Sequence, residues 1–147
     1  MSVIQDVMTE TQSGRMTFPE VVRRLMEAGV ESYFVDFAAA SETFYLCNGG
    51  VQNEVMKLRA EAVAEDFSAH ELVAAIRGAQ ADTVRYPEFV KRSTDAGVIG
   101  YWAFLSGRKV IYFGRKGEMH VENLPGAVHR VRRLCRALFM GMTPPSG

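Results

Sequence analysis

A long sequence pattern in this chain is repeated 68 positions later. Phe18-Pro19-Glu20-Val21-Val22-Arg23-Arg24 recurs as Tyr86-Pro87-Glu88-Phe89-Val90-Lys91-Arg92, and at the same offset Ala28-Gly29-Val30 becomes Ala96-Gly97-Val98. With one deletion allowed, Tyr45-Leu46 aligns with Tyr112-Phe113. Two copies of one sequence must form the same supersecondary unit, so this repeat constrains the fold more than composition does. We predict copy one over about residues 2–58 and copy two over about residues 68–125.

Each copy begins with two predicted helices. Apolar residues recur at helical spacing in the first helix of both copies: Ile4, Val7 and Met8, then Leu72, Val73 and Ile76. Pro19 and Pro87 stand in the first turn of the second helix, where a missing N–H costs nothing. Gly29 and Gly97 stand where a left-handed residue ends a helix. Capping boxes are predicted for Ser68 with Glu71 and for Thr17 with Glu20, whereas Arg85 takes the place of Thr17 in copy two.

After each helix-ending glycine the pattern changes to the alternation typical of strands. Tyr33, Val35 and Phe37 alternate with other side chains in copy one, as do Tyr101, Ala103 and Leu105 in copy two. Return strands are predicted at Thr43–Cys47 and Lys109–Phe113, and third strands near Glu54–Leu58 and Glu118–Glu122. The short connections favour antiparallel hairpins.

The predicted fold class is α+β, a tandem duplication of a helix-helix-β-hairpin unit. The two hairpin units join in one antiparallel sheet with the helices packed on a face, and a basic amphipathic helix follows at about residues 127–140. One domain is predicted over residues 1–142, with a disordered tail at residues 143–147. An edge-to-edge join of the two units leaves an outer sheet edge free for a homodimer.

Composition and charge place the chain among globular proteins of the cytoplasm. It has 147 residues, 48% of them hydrophobic, and no apolar stretch long enough to span a bilayer. The N-terminus lacks the basic start followed by an apolar run that is typical of a signal peptide. The two cysteines, Cys47 and Cys135, make no disulfide framework and are interpreted as free thiols of a reducing compartment. Residues 1–84 carry 13 acidic against 6 basic side chains, and residues 85–147 carry 4 against 11, so the halves have charges of −7 and +7. This asymmetry favours docking, self-association or contact with a polyanion.

Several of these motifs resemble the YdfO-like family of small bacterial and prophage-associated proteins. The resemblance is carried by Phe18-Pro19-Glu20, Ala28-Gly29-Val30-Glu31-Ser32-Tyr33 and Phe44-Tyr45-Leu46, and in the second half by Tyr86-Pro87-Glu88, Ala96-Gly97-Val98, Tyr112-Phe113-Gly114 and the stretch from Glu118 to Pro125. It covers about residues 15–125. The resemblance implies an α+β fold with no assigned activity, so it transfers no catalytic residue.

No residue pattern of a known catalytic or metal centre is present in the sequence. The three histidines are far apart, and motifs such as HExxH, CxxC, GxSxG or a phosphate-binding glycine loop are absent. We therefore predict no catalytic residue, no metal and no cofactor. If a pocket exists between the two copies, its candidate lining residues are Tyr33, Asp36, Tyr101 and His120.

Asp36 and Leu25 mark positions where the copies differ, because Phe104 and Ser93 stand there in copy two. A buried Asp36 needs an arginine or a backbone N–H as partner. A solvent-facing place at a strand end is the favoured interpretation, since aspartate is rarely fully buried. Divergence at core-like positions is where a cleft can open, and simple sequence drift is the alternative explanation.

The predicted C-terminal helix is strongly basic. Its arginines Arg130, Arg132, Arg133 and Arg136 surround an apolar stripe. Docking by the stripe with solvated arginines is the favoured interpretation, and contact with a nucleic-acid backbone or an anionic membrane surface is the alternative.

The function predicted from sequence is a non-enzymatic binding or protein-interaction module, homodimeric, with an unknown protein or small-molecule partner. A nucleic-acid-binding protein that uses the basic second half is the first alternative. An enzyme with a site between the two copies is the second.

Overall fold

The computed structural model describes residues 2–124, which form an α+β fold of four helices and one six-stranded antiparallel sheet. The helices are α1 Val3–Gln12, α2 Phe18–Glu27, α3 Ala69–Gln80 and α4 Tyr86–Asp95. The strands are β1 Val30–Asp36, β2 Ser41–Leu46, β3 Val51–Val55, β4 Val98–Phe104, β5 Lys109–Gly114 and β6 Met119–Asn123. The predicted α+β class with one antiparallel sheet is thereby confirmed, while the helix at 127–140 and the tail at 143–147 lie outside the described residues.

The sheet runs in the order β3-β2-β1-β4-β5-β6. Its centre is the antiparallel pair β1–β4, in which Phe34 faces Trp102. The element order α-α-β-β-β occurs twice, and α2 and α4 begin 68 positions apart, as do β1 and β4, β2 and β5, and β3 and β6. The two hairpin units therefore meet edge to edge, which leaves β3 and β6 as the outer strands.

The pairing register corrects the deletion in the sequence alignment. Tyr33 faces Phe44 across β1 and β2, and Tyr101 faces Tyr112 across β4 and β5. Phe44 therefore corresponds to Tyr112 at the constant offset of 68, and the predicted match of Tyr45 with Tyr112 is wrong. The reason is that a slip of one residue moves a strand's side chains to the other face of the sheet. The third strand of the first half also begins earlier than predicted, at Val51 rather than near residue 54, whereas β6 begins at Met119, one residue after the predicted Glu118.

The helix ends follow local capping chemistry. The carboxylate of Glu20 accepts hydrogen bonds from the backbone N–H and the hydroxyl of Thr17, at 3.2 and 2.7 Å. Ser68 accepts from the backbone N–H of Glu71 at 3.2 Å. Gly29 and Gly97 follow α2 and α4 with φ of 85° and 87°, a conformation that costs glycine little. The predicted glycine stops are thereby confirmed.

The core lies between the helices and one face of the sheet. Alternate strand residues, such as Val35 and Phe44, are buried in one cluster with Leu25 of α2 and Leu72 of α3. Side chains on the other face are half-buried and include an aromatic row in which Trp102 stacks on neighbouring rings. The helices therefore all contribute to one layer, as expected when a sheet buries one face.

The central join of the sheet depends on a close backbone approach at Gly100. A Cβ atom at this position would overlap the carbonyl oxygen of Val35 on the neighbouring strand. Glycine is the residue that permits such an approach.

The interpretation of the cysteines as free thiols is wrong for Cys47. This residue lies directly after β2, is fully buried, and is disulfide-bonded rather than a free thiol. Cys135 lies outside the described residues. Since the free thiols supported the cytoplasmic location, that location stays a prediction.

Among the helices of residues 2–124, none combines the length and the apolar character that a membrane span requires.

Candidate functional site

A cavity lies between the helix layer and the buried face of the sheet. Its volume is about 70 Å³. All four helices line it, together with β1, β2, β4, β5 and β6. The cavity therefore lies where the two halves of the fold meet.

The floor of the cavity is a set of side chains that the strand register brings to one face. Tyr33 faces Phe44, and Tyr101 faces Tyr112, in pairs on either side of the central β1–β4 join. Glu42 lies two residues before Phe44 and so points to the same face. The floor is therefore mostly aromatic, with one carboxyl group.

Aromatic rings contact one another across the join. The ring centroids of Tyr33 and Phe44 lie 5.5 Å apart in a stacked pair, and those of Tyr33 and Tyr101 lie 6.2 Å apart edge to face. Tyr101 and Tyr112 are 5.4 Å apart, and Phe89 of α4 meets both at 6.4 and 6.3 Å. These distances are in the favourable range for aromatic pairs, so the rings hold each other in place.

Tyrosine hydroxyl groups form a hydrogen-bonded chain inside the cavity. The hydroxyl oxygens of Tyr86 and Tyr101 lie 2.8 Å apart. Tyr101 also bonds to Tyr33, and Tyr86 bonds to the carboxyl group of Glu42. Burial raises the pKa of Tyr33, Tyr86 and Tyr101, and the nearby Glu42 adds to this shift. The phenols therefore stay protonated and act as hydrogen-bonding groups.

Glu42 is the most unusual residue of the cavity. It is 6% exposed although it carries an ionisable group. Burial raises the pKa of its carboxyl to about 8, despite an opposing hydrogen bond from Tyr86. A carboxyl group in such a place is held largely neutral near pH 7, because desolvation penalises the charged form.

The other charged residues that line the cavity have partners. Asp82 and Arg85 form an ion pair at 2.9 Å. Glu122 pairs with Arg77 at 2.8 Å and with His120 at 3.2 Å. Partial burial alone would raise the pKa of Glu122, but its bonds to Arg77 and His120 outweigh burial and lower it.

The structure separates the four residues that sequence analysis suggested for a pocket. Tyr33 and Tyr101 line the cavity. Asp36 is the last residue of β1, points to the opposite face and accepts a hydrogen bond from the backbone N–H of Ala39 at 3.0 Å. His120 lies beside Tyr112 and Glu122 but does not line the cavity. Tyr33 and Tyr101 are thus brought together, while Asp36 and His120 are not.

Sequence reasoning missed Glu42, Phe44, Tyr86 and Tyr112. The signal was present, because Glu42 is in phase with the buried Phe44 along β2. With the deletion removed, Glu42 corresponds to Val110, which is the clearest difference between the two halves inside the cavity. Of the pair Leu25 and Ser93, Leu25 lines the cavity and Ser93 is buried elsewhere.

The arginines that sequence analysis suggested for contact with a polyanion lie outside the described residues. Arg130, Arg132, Arg133 and Arg136 are not among the residues that the structure describes. Within residues 2–124, no group of three or more His, Cys, Asp or Glu side chains is arranged to hold a metal ion.

Neither a protein-family model nor a curated protein matches this chain.

Proposed function

We propose that this protein is a non-enzymatic binding module that holds a small, mainly apolar organic molecule in the cavity between its two halves. The observation that carries the proposal is the cavity itself, whose floor joins aromatic rings to one carboxyl and several hydroxyl groups. Ligand sites typically combine apolar walls with a few polar groups that orient the ligand.

The protonation states favour binding over catalysis. The raised pKa values of Tyr33, Tyr86 and Tyr101 keep these phenols neutral, so they suit hydrogen bonding better than nucleophilic attack. The enzymatic alternative placed Asp36 in the same pocket as Tyr33, and Asp36 points to the opposite face of the sheet. A binding module fits this arrangement better.

A tandem duplication accounts for the place of the site. The repeated element order and the constant spacing of 68 residues support it. The copies differ within the cavity at Glu42 and Val110 and at Phe44 and Tyr112, so the duplicated unit has acquired its polar groups unequally. Membership of the YdfO-like family is a further proposal, carried by the motifs that resemble that family.

The test is occupation of the cavity by neutral probes. We expect benzyl alcohol and 1-hexanol to perturb NMR signals of cavity residues such as Thr11, Tyr33 and Phe89 in saturable titrations. The variant Ala79→Phe fills the cavity from α3 and should abolish these perturbations. Ala74→Phe is the matched control, because Ala74 lies on the exposed side of the same helix. Perturbations that are confined to surface residues or survive Ala79→Phe would contradict the proposal.

Homodimer formation is a second candidate, favoured by the outer strands. Val51 and Val55 of β3 are 62% and 71% exposed, and Met119 and Val121 of β6 are 63% and 48% exposed. Exposed apolar side chains on an edge strand favour pairing with another chain. Light scattering after size exclusion should give twice the monomer mass of 16.3 kDa. Val55→Lys should give monomers, whereas Val3→Lys, at an exposed position of α1, should not.

A further inference from the structure

One carboxyl group that lines the cavity has no cation beside it. Asp82 is paired with Arg85, and Glu122 with Arg77. Among residues 2–124, Glu42 has no ion-pair partner, although it is nearly fully buried. A buried carboxyl without a cation is costly to the free protein when it ionises, and an incoming positive charge removes that cost.

The rings around Glu42 have the character that a cation requires. Tyr33, Phe44, Tyr101 and Tyr112 form the floor of the cavity beside it, and Phe89 closes over two of them from α4. The face of an aromatic ring is negative and attracts ammonium groups, most strongly where water is excluded. The cavity therefore combines an unpaired acid with several aromatic rings.

We propose that the cavity takes an organic cation, an amine on a small apolar body, with the ammonium group at the Glu42 carboxylate and the body among the aromatic rings. This inference rests on the proposed function of the cavity as a small-molecule site. The second half has Val110 at the position of Glu42, so this carboxyl group lies on one side of the cavity only. Its position orients the ligand.

Binding is coupled to one proton. Glu42 loses its proton to solvent when the ammonium group enters, and no other bond changes. The titratable or charged side chains that share the cavity with it are Tyr33, Tyr86, Tyr101, Tyr112, Asp82, Arg85 and Glu122. The four phenols stay neutral near pH 8 because burial raises their pKa values. Arg85, the cation of the group, is occupied by Asp82 and by the carbonyl oxygen of Gly14.

The experiment compares three probes of similar shape at pH 8: benzylamine, benzyl alcohol and benzoate. An alkyl amine is protonated at this pH, as lysine is. We expect the wild-type protein to bind benzylamine at least about tenfold more tightly than benzyl alcohol, because the charge adds an ionic hydrogen bond and cation–π contacts. Benzoate should bind most weakly. Calorimetric or NMR titration measures the three affinities without any variant.

Two variants then assign the preference to Glu42. Glu42→Gln keeps the shape and the acceptor for Tyr86, so it should reduce the preference for benzylamine to within about twofold while benzyl alcohol still binds. Glu54→Gln is the matched control: Glu54 faces Glu42 from β3, bonds to Gln5 and Gln52, and does not line the cavity. It should leave the preference unchanged.

The outcomes separate the two proposals. Equal affinity of the wild-type protein for benzylamine and benzyl alcohol, both blocked by Ala79→Phe, overturns the cation inference and leaves the cavity as a binding site. A preference that persists in Glu42→Gln also overturns it. If neither probe binds, the inference and the proposed function both fail.

Discussion

The hydroxyl groups of Tyr86 and Tyr101 lie 2.8 Å apart and connect the first turn of α4 to the middle of β4. In the first half Phe18 stands where Tyr86 stands in the second, so no equivalent bond can form there. Tyr86 also bonds to Glu42 of β2, which belongs to the first half. One phenol thus joins a helix and a strand of one half to a strand of the other.

This hydroxyl chain should contribute measurably to stability. We expect Tyr86→Phe and Tyr101→Phe each to lower the free energy of unfolding by about 1–2 kcal/mol, because each leaves a buried polar group without its partner. The double variant should lose less than the sum of the two, since both remove the same bond. Urea denaturation measures these values, and Tyr45→Phe on the opposite face of the sheet is the control. Strict additivity would show that the two hydroxyls do not interact.

Glu42 should make the stability of the protein depend on pH. Its carboxyl pKa is about 8 in the folded protein against an ordinary value of 4.5, so the folded state binds the proton more tightly than the unfolded state. The contribution of Glu42 to stability is therefore full below pH 4.5 and is lost as the pH rises towards 8, by at most about 5 kcal/mol.

The variant Glu42→Gln isolates this effect. Denaturation curves between pH 5 and pH 9 should show a much flatter dependence of the unfolding free energy in Glu42→Gln than in the wild type. Glu54→Gln should retain the wild-type slope, because it leaves Glu42 in place. A wild-type slope that survives in Glu42→Gln would assign the pH dependence to other groups.

The central join of the sheet should not tolerate a side chain at residue 100. We expect Gly100→Ala to lower the free energy of unfolding by about 2–3 kcal/mol, because the added methyl group overlaps the carbonyl oxygen of Val35 and forces β1 and β4 apart. Gly107→Ala is the control, since a Cβ there meets Phe104 at an ordinary 3.4 Å. Similar thermal denaturation temperatures for the two variants would argue against this account.

Removal of either of two neighbouring hydroxyl groups in α4 should affect the stability of the protein differently. Ser93 Oγ is fully buried and has no hydrogen-bond partner among residues 2–124, whereas the hydroxyl of Thr94 donates to the carbonyl oxygens of Val90 and Lys91 at 3.0 Å. We therefore expect Ser93→Ala to leave stability unchanged or raise it by up to about 1 kcal/mol, and Thr94→Val to lower it by about 1 kcal/mol. A larger loss in Ser93→Ala than in Thr94→Val would reveal a partner for Ser93.

Local signals in the sequence predicted the elements well and their exact register poorly. Pro87 marks the start of α4 and Gly97 marks its end. Both signals depend on backbone geometry that neighbouring residues alone determine, so this helix was predictable. The alignment of Tyr45 with Tyr112 was wrong because both β2 and β5 carry aromatic residues on both faces. Only the pairing with β1 and β4 decides which of them points into the core.

The candidate site was also predicted only in part from the sequence. Tyr33 and Tyr101 were suggested by the repeat, and the edge-to-edge join of the two units places them together at the centre of the sheet. Glu42 was not suggested, because a glutamate in a strand is most often a surface residue. Its burial depends on α4, since Tyr86 closes over it with a hydrogen bond.

The sequence by itself determined the order of helices and strands, their stops and the α+β class, because capping, glycine conformation and side-chain alternation act between near neighbours. Tertiary structure alone decided that the two halves of the fold enclose a cavity. It also decided that Glu42 is buried there with the tyrosines. Those facts depend on contacts between residues such as Glu42 and Tyr86, which lie far apart in the chain and meet only when helices pack on a paired sheet.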